Sequence, residues 1–325
     1  MLLCSKNWSS GARRRLRDSA AKRAYSEAMA LTTIIAGSDL SQSSDKALER
    51  AIGIALLHRA KIVLVHAQAS DAPIAEVDNA LLEQLGEVSA AVRAEEAVRL
   101  SDKLAEIQGL GLPAAVISRI GPPDEVLAGA AHDEHADLIV IGTHGHTGVA
   151  RFLLGSVANA TIRRAPCDVL IVRGEPVRTA YAKPLIATDF SLAAAKALDT
   201  AANVLVPGTQ RDVVHAWQLP AGSWGATLLG QARFPWSTVR DAVLASAQTQ
   251  ADKLVAEHGP GFHVELVQGP PASVITETAE KAGYDLIVVG SHGHRGFRRL
   301  LLGSVAESTV RHAHCSVLVV HGPPS

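Results

Sequence analysis

Gly142 and Gly145 stand two residues apart, and after nine more residues comes Gly155-Ser156; Gly290, Gly293 and Gly303-Ser304 repeat this spacing in the second half of the chain. The chemistry open to G-x-x-G-(nine residues)-G-S is the holding of phosphate. Glycine lets the main chain approach a ligand closely and adopt positive φ. A serine opening a helix is a good N-cap, and the free N–H groups behind it favour an anion. Ser156 and Ser304 are therefore predicted N-caps of two phosphate cradles. No GK[ST] lysine of a P-loop accompanies them. A single G-x-x-G marks ordinary turns, but the full pattern at the same place in two repeats is far more specific.

Other reactive side chains near the pattern carry less. His144 and His146, and His292 and His294, form H-x-H pairs with no third metal ligand at close spacing, so no metal site is assigned. They read better as lining the phosphate entrance. Arg151, Arg295, Arg298 and Arg299 are equally compatible with phosphate contact and with plain solvation. Cys167 and Cys315 each precede an apolar run and read as small buried hydrophobes rather than thiol switches. No nucleophile–base pair is legible, so no catalytic residue is assigned.

The elements that must position the cradles alternate between strand and helix. In the first copy, strands are predicted at 32–37, 62–67, 114–119, 138–142 and 168–173. Helices are predicted at 43–58, 75–108, 124–134 and 156–164. Such alternation implies a parallel sheet covered on both faces, with ligands outside the carboxyl ends of the strands. The second copy follows at an offset of about 150 residues, one ordinary domain. "GPPDEVLAGAAHDEHADLIVIG" returns as "GPPASVITETAEKAGYDLIVVG", and "IVLVHAQ" as "DVVHAWQ". The reading is a tandem duplication of two open five-stranded parallel α/β sheets, with domains at 31–174 and 183–322. The fifth strands, "CDVLIVR" and "CSVLVVH", are β-branched and carry no internal Lys or Pro to protect an edge. If each lies at the edge of its sheet, the two are expected to pair antiparallel about a pseudo-two-fold axis.

Composition excludes several classes. The 325 residues are 47% hydrophobic with a formal net charge of −1, which argues against a general nucleic-acid binder. No apolar run reaches the roughly 18 residues of a membrane span. Three cysteines without framework spacing read as reduced thiols of a cytoplasmic protein. Residues 1–30 are rich in Arg, Ser and Ala; they read as a disordered tail, or as a mis-assigned start with Met29 as the true first residue. The stretch 217–239 breaks the repeat and holds three of the four tryptophans. It reads as a loop packing its own aromatics, with a lid or apolar pocket as the alternative.

On the repeated G-x-x-G-(nine residues)-G-S pattern, the chain from 32 to 320 resembles the universal stress protein family in its tandem, ATP-binding form. The resemblance implies a Rossmann-like fold of the adenine-nucleotide alpha-hydrolase type and one ATP, with Mg2+, per domain. It implies that Ser38 and Asp39 meet the adenosine in the first domain and Thr188 and Asp189 in the second, with the main chain of Ala67 and Ala216 against adenine. Gly142, Gly145, Gly155, Ser156 and Val157 would hold ribose and phosphates in the first domain, and Gly290, Gly293, Gly303, Ser304 and Val305 in the second. Gly37-Ser38 precedes the first aspartate where Ala187-Thr188 precedes the second, a looser first pocket on paper. The resemblance further implies a homodimer of tandem chains and a nucleotide-responsive regulator acting through a protein partner that the sequence does not name. Two other classes stay open: an ATP-hydrolysing or nucleotidyl-transferring enzyme of related fold, and an interaction module binding an apolar ligand near 217–239.

Overall fold

The computed structural model of the chain describes residues 31–69, 79–143, 154–219, 236–258, 262–293 and 302–321. The sequence readings on residues 1–30, His144, Gly145, His146, Arg151, His294, Arg295, Arg298 and Arg299, and most of 217–239, lie outside the described residues.

The first half runs β1 (Thr33–Gly37), α1 (Gln42–His58), β2 (Lys61–Gln68), α2 (Asn79–Gly109), β3 (Ala114–Ile120), α3 (Pro123–Asp133), β4 (Leu138–Gly142), α4 (Ser156–Arg164) and β5 (Asp168–Val172). The second half repeats it: β6 (Pro184–Ala187), α5 (Leu192–Ala201), a 3-10 turn (Ala202–Val204), β7 (Arg211–Trp217), α6 (Trp236–His258), β8 (Phe262–Gln268), α7 (Pro271–Ala282), β9 (Leu286–Gly290), α8 (Ser304–His312) and β10 (Ser316–Val320). Local chemistry sets the ends. Ser41 and Ser191 cap α1 and α5 by accepting from the amides of Ser44 and Ala194 at 3.3 and 3.2 Å. The Gly-Pro-Pro turns place a proline in the first turn of α3 and α7, where its missing N–H costs nothing. Gly121 and Gly269 enter those turns at φ 149° and 150°, which only glycine adopts freely.

The ten strands form one sheet in the order β3-β2-β1-β4-β5-β10-β9-β6-β7-β8. Within each half all pairing is parallel, and β5 meets β10 antiparallel, with Leu170 opposite Leu318 and Ile171 opposite Val317. The expected seam is present. Strand side chains alternate between two cores, one on each face. Ile34, Leu64, Leu170 and Leu318 join α1, α2, α5 and α6, while Ile35, Val63, Val169 and Val317 join α3, α4, α7 and α8. Both cores run unbroken across the seam.

The seam's ends are tied by pseudo-symmetric polar contacts. The amide of Arg173 donates to Ser316 Oγ at 3.0 Å, and the amide of His321 to Asp168 Oδ1 at 2.8 Å; Ser316 and Asp168 open the two fifth strands. The side chains then cross to the other half. Arg173 donates to the carbonyls of Val310 and Ala313 at 2.7 and 2.8 Å, and His321 donates from Nε2 to Ile162 at 2.9 Å. Each domain thus supplies a polar clamp for the last carbonyls of the other's α4-type helix, where partners are lacking within the helix.

This symmetry predicts a pH effect. Burial pushes the Asp168 carboxyl up to about 6, with Lys196 and the His321 amide pulling it down only in part. Its folded value lies above its unfolded value of about 3.9, so ionising it destabilises the fold; that penalty is present at pH 7 and vanishes as pH falls from about 6 to about 4. Asp168→Ser copies the pseudo-symmetric residue and keeps an acceptor for His321. Relative to wild type, its stability by urea melting should be better at pH 7 than at pH 4 by about 2–3 kcal/mol. His321, held neutral by burial, loses stability toward acid in both proteins and cancels from the difference. Parallel pH profiles would refute the prediction.

Candidate functional site

In each half the sheet reverses its order of growth between β1 and β4, or β6 and β9, the switch point at which open α/β sheets leave a ligand crevice beyond the carboxyl ends of the strands. The β1–β4 ladder stops at Ala36 opposite Val140, and the β1–β2 ladder at Gly37 opposite Val65, followed by the Ser38 amide on the Val65 carbonyl at 2.9 Å. Ala67 therefore lies beyond the end of β1, with its flank toward Asp39 outside that ladder. The second half copies this, the Thr188 amide meeting the Val214 carbonyl at 3.0 Å with Ala216 two residues further along β7.

Asp39 and Asp189 sit half-buried at the mouths of the two crevices, in matching bends. Asp39 Oδ1 accepts from the amide and hydroxyl of Ser41 at 3.0 and 2.6 Å; Asp189 Oδ1 accepts from the Ser191 amide at 3.0 Å. The buried hydroxyls of Ser38 and Thr188 accept from the amides of Leu40 and Phe190 at 3.1 and 2.9 Å. Leu40 and Phe190 have φ 60° and 61°, a left-handed bend that costs a bulky residue roughly 1–2 kcal/mol. Such strain persists only where the surroundings hold it, and it concentrates at functional sites. Ser38 and Thr188 thus brace the bend.

The opposite wall is the start of α4 or α8. The Gly155 amide returns to the Thr143 carbonyl at 2.9 Å and the Gly303 amide to the Ser291 carbonyl at 2.8 Å, so each glycine loop leaves and re-enters at one point beside the strand end. One reading is corrected here. Gly155 and Gly303, not Ser156 and Ser304, are the N-caps; they carry no side chain to cap with, and the two serines follow as exposed first residues of their helices. The first-turn amides are thereby left without a side-chain cap, which suits an anion better than the serine cap would. Val157 and Val305, next in line, are exposed on the same first turn.

The strand-end glycines have a second reason to be glycine. A Cβ at Gly142 would overlap Ser43 Oγ and stand 2.8 Å from the Ser43 carbonyl oxygen. A Cβ at Gly293 would overlap Asp189 Oδ2, and one at Gly303 would lie 3.1 Å from the Ser291 carbonyl oxygen. Gly290 is less crowded, with 3.3 Å to the His292 carbonyl oxygen. Close approach of loop to helix, and of loop to aspartate, is what these residues permit first.

Two histidines escaped the sequence reading. His66 and His215 donate from Nδ1 to the carbonyls of Ser38 and Thr188 at 2.8 and 2.9 Å, fixing the second strand to the aspartate bend. The signal was available in the H-A of both "VLVHAQ" and "VVHAWQ". Burial pushes the thiols of Cys167 and Cys315 up to about 12, so both are protonated at neutral pH and pack as hydrophobes. Among the described residues no group of three His, Cys, Asp or Glu could hold a metal ion, and no helix is long and apolar enough to cross a membrane.

The sequence profile of the universal stress protein family matches residues 31–173 and again 180–321. The chain belongs to the universal stress protein family. It carries two copies of the universal stress protein unit in tandem. A universal stress protein of Methanocaldococcus jannaschii is 42% identical over 91 residues, 27% of this chain and 54% of that protein. One of Mycobacterium tuberculosis is 29% identical over 204 residues, 57% of this chain and 61% of that protein. The chain thus spans little more than half the length of these curated relatives. The crystal structure of a universal stress protein from Archaeoglobus fulgidus superposes with a TM-score of 0.61 at 23% identity, covering 90% of this chain and 97% of that one. That likeness shows the fold: a mostly parallel α/β sheet flanked by helices.

Proposed function

We propose that this universal stress protein is a nucleotide-responsive regulator that binds one ATP in each domain. The observation that carries the reading is the doubled crevice, which sets an aspartate on a strained bend against a helix start whose amides no side chain caps. The aspartate suits the donors of a nucleoside, a ribose hydroxyl or the adenine amine, and the helix start suits phosphates. Asp39, Ser38, Ala67, Gly142, Gly155, Ser156 and Val157 would hold the first nucleotide; Asp189, Thr188, Ala216, Gly290, Gly293, Gly303, Ser304 and Val305 would hold the second. Mg2+ would be carried mainly by the phosphate oxygens, in keeping with its preference for few protein ligands. Regulation then follows from differential affinity of ATP for two conformations, read by a protein partner in the cytoplasm. A homodimer of tandem chains would have to use surfaces other than the fifth strands, whose edges the seam already consumes.

Calorimetric titration with ATP and Mg2+ should saturate at two equivalents. Asp39→Ala and Asp189→Ala should each weaken one site about tenfold or more, the scale of one lost hydrogen bond to a charged group. Gly142→Val is a poor probe, because its side chain collides with Ser43 and disturbs the fold along with the site. Saturation at zero equivalents would end the nucleotide reading, and steady turnover of roughly 1 per second would replace the regulator with an enzyme.

A further inference from the structure

The two aspartate bends share a backbone but not their supports. In the first domain α2 reaches over the bend with three charged side chains. Arg99 donates from Nη2 to the carbonyl of Leu40, the left-handed residue itself, at 2.8 Å. Glu96 Oε2 stands 3.4 Å from Nε2 of His66, whose Nδ1 holds the Ser38 carbonyl. Lys103 pairs with Asp45 in the first turn of α1 at 2.5 Å. The Arg99 and Lys103 contacts tie Leu40 and Asp45 to α2 on the C-terminal side of Asp39, and on its N-terminal side the Glu96 carboxylate faces the imidazole that holds the Ser38 carbonyl.

Aligning the buried stripes of the two helices, Leu100 and Ile107 of α2 with Ala247 and Leu254 of α6, puts Val243, Ser246 and Gln250 where Glu96, Arg99 and Lys103 stand. Among the described residues no α6 side chain hydrogen-bonds to Thr188, Phe190 or His215. In place of the Arg99 contact there, Phe190 replaces Leu40, and its ring lies 4.5 Å from the His215 ring. A left-handed bend at a bulky residue needs support, and charged hydrogen bonds from a helix fix a backbone carbonyl more narrowly than a ring stack does.

We propose that Glu96 and Arg99 are positioning residues of the first site alone: they hold the Asp39 bend in place before ligand arrives and make the first crevice the tighter of the two. The affinity order rests on the nucleotide reading above; the positioning does not. A site whose competent conformation is only partly populated binds more weakly by that fraction, so support that raises the fraction raises affinity equally.

Hydrogen exchange on the ligand-free full chain tests the positioning directly. The amides of 40–44 should exchange more slowly than those of 190–194 in wild type. Glu96→Gln with Arg99→Gln should erase that difference while leaving 190–194 and the melting temperature unchanged. Arg99→Lys, which keeps a donor, should restore part of the protection where a lost packing contact would not be rescued. Unchanged exchange at 40–44 in the double variant overturns the proposal whatever the ligand. In the second arm ATP is titrated into Asp189→Ala, which weakens the second crevice and leaves the first as the stronger site, with and without the double variant, and into Asp39→Ala likewise. The first should lose about fivefold in affinity and the second nothing. Equal losses in both overturn the assignment to the first site. A wild-type chain that slows exchange as expected yet binds no ATP overturns the nucleotide reading and the affinity order, and leaves the positioning standing.

Discussion

Leu170→Lys combined with Leu318→Lys is expected to eliminate the soluble folded chain. The two leucines are directly paired across the antiparallel seam, and neither has any solvent exposure. Paired residues on neighbouring strands share a face, roughly 5 Å apart, so both ammonium groups would enter the core formed with α1, α2, α5 and α6. An uncompensated buried charge costs about 3–5 kcal/mol, and here two of like sign face each other. The sum approaches the whole stability of an ordinary domain, about 5–15 kcal/mol. Separating the domains offers little escape, because it strips β5 and β10 of their ladder and of the clamps from Arg173 and His321. The measurement is the soluble fraction on expression and, for whatever survives, compactness by solution scattering. A smaller lesion keeps the test open: Leu170→Ala should fold and lose about 3 kcal/mol to urea. A double-lysine chain with wild-type melting and compactness would mean that the fifth strands do not meet.

The seam was legible because its two strands are nearly the same sequence, apolar on both faces and unprotected at the edge. The parallel order of each half was legible for a similar reason: strands buried on both sides read as continuous Val, Ile and Leu runs such as "DLIVIG" and "DLIVVG". Gly142 and Gly290 close their strands as read, but the helix caps differ from the reading. Ser156 satisfies every composition rule for an N-cap, yet the helix begins one residue earlier than that role needs; the decisive contact is the Gly155 amide on the Thr143 carbonyl, a bond across eleven intervening residues. The bends at Leu40 and Phe190 were hidden altogether, because left-handed backbone at a bulky side chain has no sequence signature. Likewise the Glu96–His66 and Arg99–Leu40 contacts join segments that only the α2 crossover brings together.

The connection between the domains is a packed strap. Gly53→Ala is expected to destabilise the chain by about 3 kcal/mol, although it adds one methyl group to a helix and would ordinarily stabilise it by roughly 1 kcal/mol. Gly53 sits with no room beside it on α1. A Cβ there would lie 2.8 Å from Thr179 Cα, nearer still to the Thr179 amide nitrogen, and 2.5 Å from the Arg178 carbonyl carbon. These are backbone atoms, so no side chain can rotate away; the strap must lift. It is held on both sides of the collision. Arg50, one turn earlier on α1, donates to the carbonyls of Thr179 and Ala180 at 2.8 and 3.3 Å and lies 4.0 Å over the ring of the fully buried Tyr181. Arg178 bridges Glu49 on α1 and Glu106 on α2. Lifting the strap therefore strains or breaks buried polar contacts and loosens a buried tyrosine, whereas overpacking a pliable core costs about 1–3 kcal/mol. The readouts are the urea midpoint and the rate of trypsin cleavage after Arg178, which should rise as the strap leaves the groove. Arg50→Met should accelerate the same cleavage without adding volume at Gly53. If Gly53→Ala instead raises the midpoint, the helix propensity of alanine has prevailed, and the strap rests on α1 too lightly to fix how the domains meet.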